Sequence, residues 1–268
     1  WPLTQGGSDK NIQSFLKKDY RMWAGKNAKP SGADLPVIML MHGSAADFAF
    51  LGEYLASHGY LCINVPTKGY LQSDLDINRI GVETQVRDYE FAISEVRKKF
   101  SINSEELIAV GFSFGGQSAV GYAMRNPHAK AVISLDGGIG TRFGARMIQE
   151  SVHYAPENIN LPILHIYNIE DQANHLEPLK SYAFSERSLI GIKDIKHWHF
   201  TSFGKLSNEI ANLFGEFKSN QAFEVIAYTT KSFVDHIVYL KPEPSKDKDW
   251  IRELVGKREY YPSIGKDK

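Results

Sequence analysis

Cysteine is almost absent from this chain: Cys62 is the only one in 268 residues. A disulfide framework within the chain is therefore excluded, and Cys62, inside the apolar run Tyr60 to Val65, reads as a small buried core residue. Net charge is missing too. Lys and Arg total 31, Asp and Glu total 31, and the balance of +0 leaves no electrostatic footprint for nucleic acid or an anionic membrane. No apolar run approaches the ~20 residues needed to span a bilayer. No segment repeats at a fixed period, which argues against a solenoid or propeller. Methionine is absent from the first position. A chain opening on Trp1 suggests a removed leader, hence a secreted or periplasmic protein.

What is present is an alternation. Short continuous apolar runs, the mark of strands buried on both faces, occur at Val37 to Met41, Tyr60 to Val65, Glu106 to Phe112, Ala131 to Leu135, Leu161 to Tyr167 and Ser188 to Ile192. Helical periodicity separates them over Phe48 to His58, Val82 to Phe100 and Phe114 to Arg125. The basic end Arg97-Lys98-Lys99 suits the dipole of the second helix. This order predicts α/β architecture: a doubly wound, mostly parallel sheet with helices on both faces.

The remaining stretches are read as follows. Residues 1–18 form an N-terminal arm or hairpin, and Asp19 to Ala24 an early edge strand. Lys26 to Pro36 and Pro66 to Ile80 are loops. Thr141 to Asn160 is a mixed segment with one helix across the top of the sheet, too short for a large lid. Residues 205–268 hold C-terminal helices and a tail: a helical stretch to 241, the charged loop Pro242 to Asp249, and a short docked helix or frayed end after Trp250. The length fits a single domain over 1–268.

One stretch concentrates the chemistry. Leu107 to Ala119 reads as an apolar strand, then G-x-S-x-G-G, then small residues opening a helix. Glycines at that spacing permit a turn sharp enough to throw Ser113 out at the strand's end. Reactive groups in an open parallel sheet gather beyond the carboxyl ends of the strands. Those ends carry His42-Gly43-Ser44, Ser113, Asp136, Glu170-Asp171 and His197. Serine, acid and histidine thus occur in the chain order of a nucleophile-elbow hydrolase.

Each type has a chemical reason to be there. A serine hydroxyl needs a neighbouring base before it attacks. Imidazole takes and returns a proton near pH 7, and a carboxylate fixes its tautomer. An oxyanion needs donors held ready, for which the amides of Ser44 and Phe114 are the candidates. The residues alone leave the acid open among Asp136, Asp171 and Glu170, and the base between His197 and His199. In an extended segment those two histidines share one face, with Trp198 opposite. No third ligand with convincing spacing accompanies them, so no metal and no cofactor are expected. His42 is expected to hold its loop by hydrogen bonding. Phe48, Phe112, Phe114, Trp198 and Phe200 line a pocket or fill the core.

These residues resemble the α/β-hydrolase superfamily, and within it the platelet-activating factor acetylhydrolase group and neighbouring dienelactone-hydrolase-like esterases. His42-Gly43-Ser44 with Phe48 and Tyr54 to Tyr60 is similar to the group's oxyanion loop and first helix. Gly111 to Gly116 is similar to its elbow, with Phe112 where the acetylhydrolases usually have His. Leu135-Asp136 is similar to the site of its acid. His197 to Phe203 resembles its H-x-x-F-x-D-F segment, with Ser202 in place of Asp. The resemblance covers roughly residues 35–203. It implies Ser113 as nucleophile, Asp136 as acid and His197 as base, acting on carboxylic esters, short acyl or acetyl esters included, through an acyl-enzyme. Dienelactone hydrolases proper use Cys where Ser113 stands, which argues against that activity. The expected partner is a small or polymer-borne ester. A non-catalytic binding protein on the same fold, or an acyltransferase or peptidase with the same residues, is the alternative.

Overall fold

The computed structural model describes residues 14, 17–42, 45–68, 75–206, 221–240 and 255–264. Among the described residues seven strands form one sheet: β1 (Val37–Met41), β2 (Leu61–Ile63), β3 (Leu107–Phe112), β4 (Ala129–Leu135), β5 (Ile163–Asn168), β6 (Arg187–Ile192) and β7 (Val255–Tyr261), in the order β2-β1-β3-β4-β5-β6-β7. All neighbours are parallel except β6 and β7. The helices are α1 (Ala49–Ala56), α2 (Arg79–Phe100), α3 (Gly115–Arg125), α4 (Arg142–Gln149), α5 (Ser202–Lys205) and α6 (Ala222–Tyr239).

The continuous apolar strands follow from two separate cores. Val37, Met39 and Met41 of β1 point to one face, with Leu107 and Ala109 of β3. There Val82, Val86 and Tyr89 of α2, Val120 of α3 and Met147 of α4 cover them. Ile38 and Leu40, with Ile108, Val110 and Phe112, point to the other face, under Leu51 and Leu55 of α1 and Val225, Ile226 and Val234 of α6. A strand with two buried faces therefore carries apolar residues at both phases of its period-two alternation. Each large aliphatic side chain so buried contributes about 1.5–3 kcal/mol. Cys62 is partly rather than fully buried against the second core, and its surroundings push the thiol up to about 12.

Several expectations are corrected. Asp19 to Ala24 is not a strand. The mixed segment Thr141 to Asn160, by contrast, does hold one α-helix, Arg142–Gln149, followed by a 3-10 turn at Pro156–Asn158. The last strand is not β6, because part of the expected C-terminal tail is β7, an antiparallel edge strand carrying Lys257, Arg258 and Glu259. Charges on an exposed edge discourage further pairing, and they also hide the strand from any search for apolar alternation. The expected arm at 1–18 and the loop at 242–249 lie almost wholly outside the described residues. Among the described residues no helix is long and apolar enough to cross a membrane.

Candidate active site

β1, β3, β4 and β5 run parallel and in register, so their carboxyl ends deliver residues to one edge of the sheet. At the end of β3 the chain turns through Ser113, whose φ of 53° lies in the left-handed region that side chains avoid. Such a conformation costs on the order of 1–3 kcal/mol and persists only where its surroundings enforce it. Here Ser113 N–H donates to Leu135 O at 3.2 Å, while its carbonyl accepts from Gly116 and Gly138. The flanking glycines are demanded by contact. A Cβ on Gly111 would lie 2.0 Å from Gly115 O, and one on Gly115 would lie 1.7 Å from Met41 O. The motif's spacing is thus the spacing at which β1, β3 and α3 touch backbone to backbone.

Asp136 leaves β4 in the same left-handed region, with φ of 44°. Its side chain is 2% exposed and fully engaged. Oδ1 accepts from the Asn168 amide at 3.0 Å and from Asn174 Nδ2 at 3.2 Å. Oδ2 meets His197 Nδ1 at 2.6 Å. The imidazole of His197 is 49% exposed. Ser113, Asp136 and His197 line a single cavity of about 490 Å3, shared with Phe114, Gln117 and Asn174. The Phe114 N–H, first after the elbow serine, donates to none of the described residues. Ser44, the other oxyanion candidate, and Gly43 lie outside the described residues.

The alternatives separate clearly. Asp171 lines the same cavity, but its Oδ1 accepts from the Ala173 amide at 2.9 Å. Glu170 accepts from the Asp194 amide. Neither acid bonds His197. The segment His197–Phe200 is a 3-10 turn rather than extended, so the two histidines do not share a face. His199 turns inward, stacks on Trp198 at 3.8 Å and accepts from the Lys196 amide. Burial pushes it down to about 4, with the Lys196 carbonyl opposing that shift. Of the five aromatic residues singled out, Phe114 lines the cavity; Phe48, Phe112, Trp198 and Phe200 are core.

Phe112 has a more particular place. Its ring lies between two imidazoles, 4.7 Å from His42 and 4.5 Å from His197. His42 Nδ1 is paired with Asp47 Oδ2. Ser202 Oγ donates to Asp47 O at 3.1 Å and accepts from the Phe50 amide, tying the His197 segment to the turn that opens α1. Sequence reading passed over Asn174 and Gln117, which carry no motif. It also passed over Ile77, Thr141, Arg142 and Phe143 at the cavity wall. The one available signal was position, since all lie in the loops beyond the strand ends or in the first turn of the helix that follows. His175, set aside as patternless, lines the cavity as well. Among the described residues no three His, Cys, Asp or Glu side chains gather closely enough to hold a metal ion.

The chain has known relatives by sequence and by fold. Residues 25–181, more than half the chain, match the model of the dienelactone hydrolase family. A cutinase of Thermobifida cellulosilytica is 36% identical over 95 residues, covering 35% of this chain and 35% of the relative. A cutinase of Thermobifida fusca is 36% identical over 95 residues, covering 35% of this chain and 28% of the relative. The match thus spans about a third of these relatives' length. A solved ferulic acid esterase from Streptomyces cinnamoneus superposes with a TM-score of 0.63 over 85% of this chain and 75% of its own, at 18% identity, a likeness of fold. By its family match, and with the parallel sheet and elbow to accord with it, the chain belongs to the dienelactone hydrolase family of the α/β-hydrolase superfamily.

Proposed function

We propose that this protein is a serine hydrolase of carboxylic esters. The observation that carries the reading is the 2.6 Å bond from His197 to buried Asp136 in the cavity that also holds strained Ser113. Ser113 Oγ attacks the ester carbonyl as His197 Nε2 takes its proton. Asp136 holds the other ring nitrogen and stabilises the imidazolium. The tetrahedral oxyanion receives the Phe114 N–H and, by sequence position, that of Ser44. Collapse breaks the bond to the alcohol, which leaves with the proton from His197. Water then attacks the acyl-enzyme with His197 again as base, releasing the acid and restoring Ser113.

The family name denotes a lactone hydrolase, the relatives are named cutinases and the structural neighbour a ferulic acid esterase. All three names denote cleavage of an oxygen ester, which supports ester hydrolysis over amide hydrolysis here. The test is hydrolysis of 4-nitrophenyl acetate together with labelling by a fluorophosphonate. Wild type is expected to turn over and to label at Ser113. Ser113→Ala is expected to lose label and about 10⁶-fold in kcat, the cost of removing such a nucleophile. Undiminished turnover by that variant would sink the reading.

A further inference from the structure

One wall of the cavity holds a polar group with nothing to bond. Gln117 stands one helical turn after Ser113, lines the same cavity and is 3% exposed. Its Oε1 is buried without a hydrogen-bond partner. Its carboxamide is nevertheless tightly confined. A Cβ on Gly138 would lie 2.3 Å from Gln117 Nε2, and one on Gly144 would lie 2.6 Å from it. The carboxamide therefore lies directly against the Gly138 and Gly144 backbone.

Those segments cannot satisfy it either. Gly138 O already accepts from the Thr141 amide at 2.9 Å and from Thr141 Oγ1 at 3.0 Å. Gly144 N–H already donates to Thr141 Oγ1 at 3.0 Å. Thr141 thus closes the start of α4 upon itself and leaves the carboxamide facing the cavity with a donor and an acceptor uncommitted. An unpaired buried amide is costly, and a rigid one is costly to rearrange. A ligand group that pairs with it recovers that cost.

We propose that Gln117 selects the substrate: it reads a hydroxyl on the part of the ester that occupies this cavity. The inference rests on the esterase reading. A hydroxyl donates to Oε1 and accepts from Nε2, so one small group satisfies both ends of the carboxamide. A site built around a polar partner discriminates against the analogue lacking it, because the protein's own group is then stranded.

The experiment is a ratio of kcat/KM values. One pair varies the acyl part, 4-nitrophenyl glycolate against 4-nitrophenyl acetate. The other varies the alcohol, 2-hydroxyethyl acetate against propyl acetate. Wild type is expected to favour the hydroxyl-bearing member of at least one pair by about tenfold, the worth of one hydrogen bond. Gln117→Leu is expected to bring that ratio to that of the free reagents in alkaline water. Gln117→Met, unbranched and of similar length, gives the same readout if the leucine variant does not fold. A purely structural role lowers both members of a pair alike and leaves the ratio intact, which overturns the proposal. So does a wild type with no preference in either pair. If wild type hydrolyses none of the four esters, the esterase reading fails first and takes this one with it.

Discussion

Two histidine–carboxylate pairs flank the ring of Phe112, and on the proposed mechanism their difference separates chemistry from architecture. His197 and Asp136 lie on one side, with an imidazole 49% exposed to the cavity. His42 and Asp47 lie on the other, with side chains 13% and 4% exposed, and neither lines that cavity. Pairing is common to both. What distinguishes them is access: an imidazole that moves protons needs one ring nitrogen held and the other free at the reacting atoms. The inner pair holds the turn between β1 and α1, and Ser202 reinforces it from the His197 segment.

The largest effect that would break this contrast is at Asp136. Its Oδ1 already accepts from Asn168 and Asn174. In Asp136→Asn the oxygen therefore stays with those donors and the new amide faces His197. The ring must then accept at Nδ1 and carry its proton on Nε2, the tautomer that cannot deprotonate Ser113. A loss of about 10⁴ in kcat with the fold intact is expected, by analogy with other triads. Ester hydrolysis and circular dichroism on the same sample check both halves. A loss below tenfold would mean that Asp136 does not set the tautomer.

Burial without a carboxylate partner gives the next effect. His165 is wholly buried, bonded through Nδ1 to Ser134 Oγ at 3.0 Å. Desolvation lowers it to about 4, while Asp136 nearby opposes that shift. A folded-state pKa below the ordinary 6.5 means that the unfolded chain binds the proton first. Stability is then full above pH 6.5 and falls as pH drops from 6.5 towards 4, by about 3 kcal/mol from this group. Urea unfolding at pH 7 and pH 4.5 should show a smaller acid loss in His165→Gln than in wild type. Equal losses would assign the acid sensitivity elsewhere, with His199 the first suspect.

The inner pair predicts a structural phenotype instead. Asp47→Ala strands a largely buried imidazole, which costs about 1–3 kcal/mol. For a chain of this size, melting is expected to fall by roughly 2–4 °C per kcal/mol. The rate loss should stay below about 10²–10³, that of one oxyanion donor loosened with its turn. Melting curves and kcat measured together decide it. A 10⁴-fold rate loss at unchanged melting temperature would make the two pairs equivalent.

The sequence made the parallel half of this arrangement legible and the rest much less so. Parallel strands buried on both faces are mostly apolar, so β1 to β6 stand out although β4 and β5 carry buried Ser134 and His165, and Gly111 and Gly115 mark the elbow because backbone contact forbids any side chain. β7 was hidden because an edge strand needs no apolar face, and VGKREYY offers none. The choice of Asp136 over Asp171 came from resemblance. Residues alone could not decide it, since both follow strand ends and only the three-dimensional turn brings one to His197. Gln117 and Asn174 were illegible for a related reason: what they meet lies far off in the chain, Asp136 and Asn168 O for Asn174 and the Gly138 and Gly144 backbone for Gln117, which no local pattern encodes.

Asn174 gives the finest test of the outer pair, because it touches the acid without touching the base. Its Nδ2 donates to Asp136 Oδ1 and, at 3.0 Å, to Asn168 O. Asn174→Ala leaves Asp136 with the Asn168 amide and His197, so the carboxylate remains buried and paired. It has nevertheless lost one donor that drew off its charge. A less neutralised carboxylate attracts the imidazolium more strongly. The acid limb of kcat/KM should therefore move to higher pH, and kcat should fall by about tenfold or less, the scale of one long hydrogen bond. Asn174→Asp would move the limb further in the same direction, by adding a negative charge beside the pair. If the limb does not move in either variant, Asn174 serves only to close its turn. The buried acid then owes its position to the backbone amide of Asn168 and to His197.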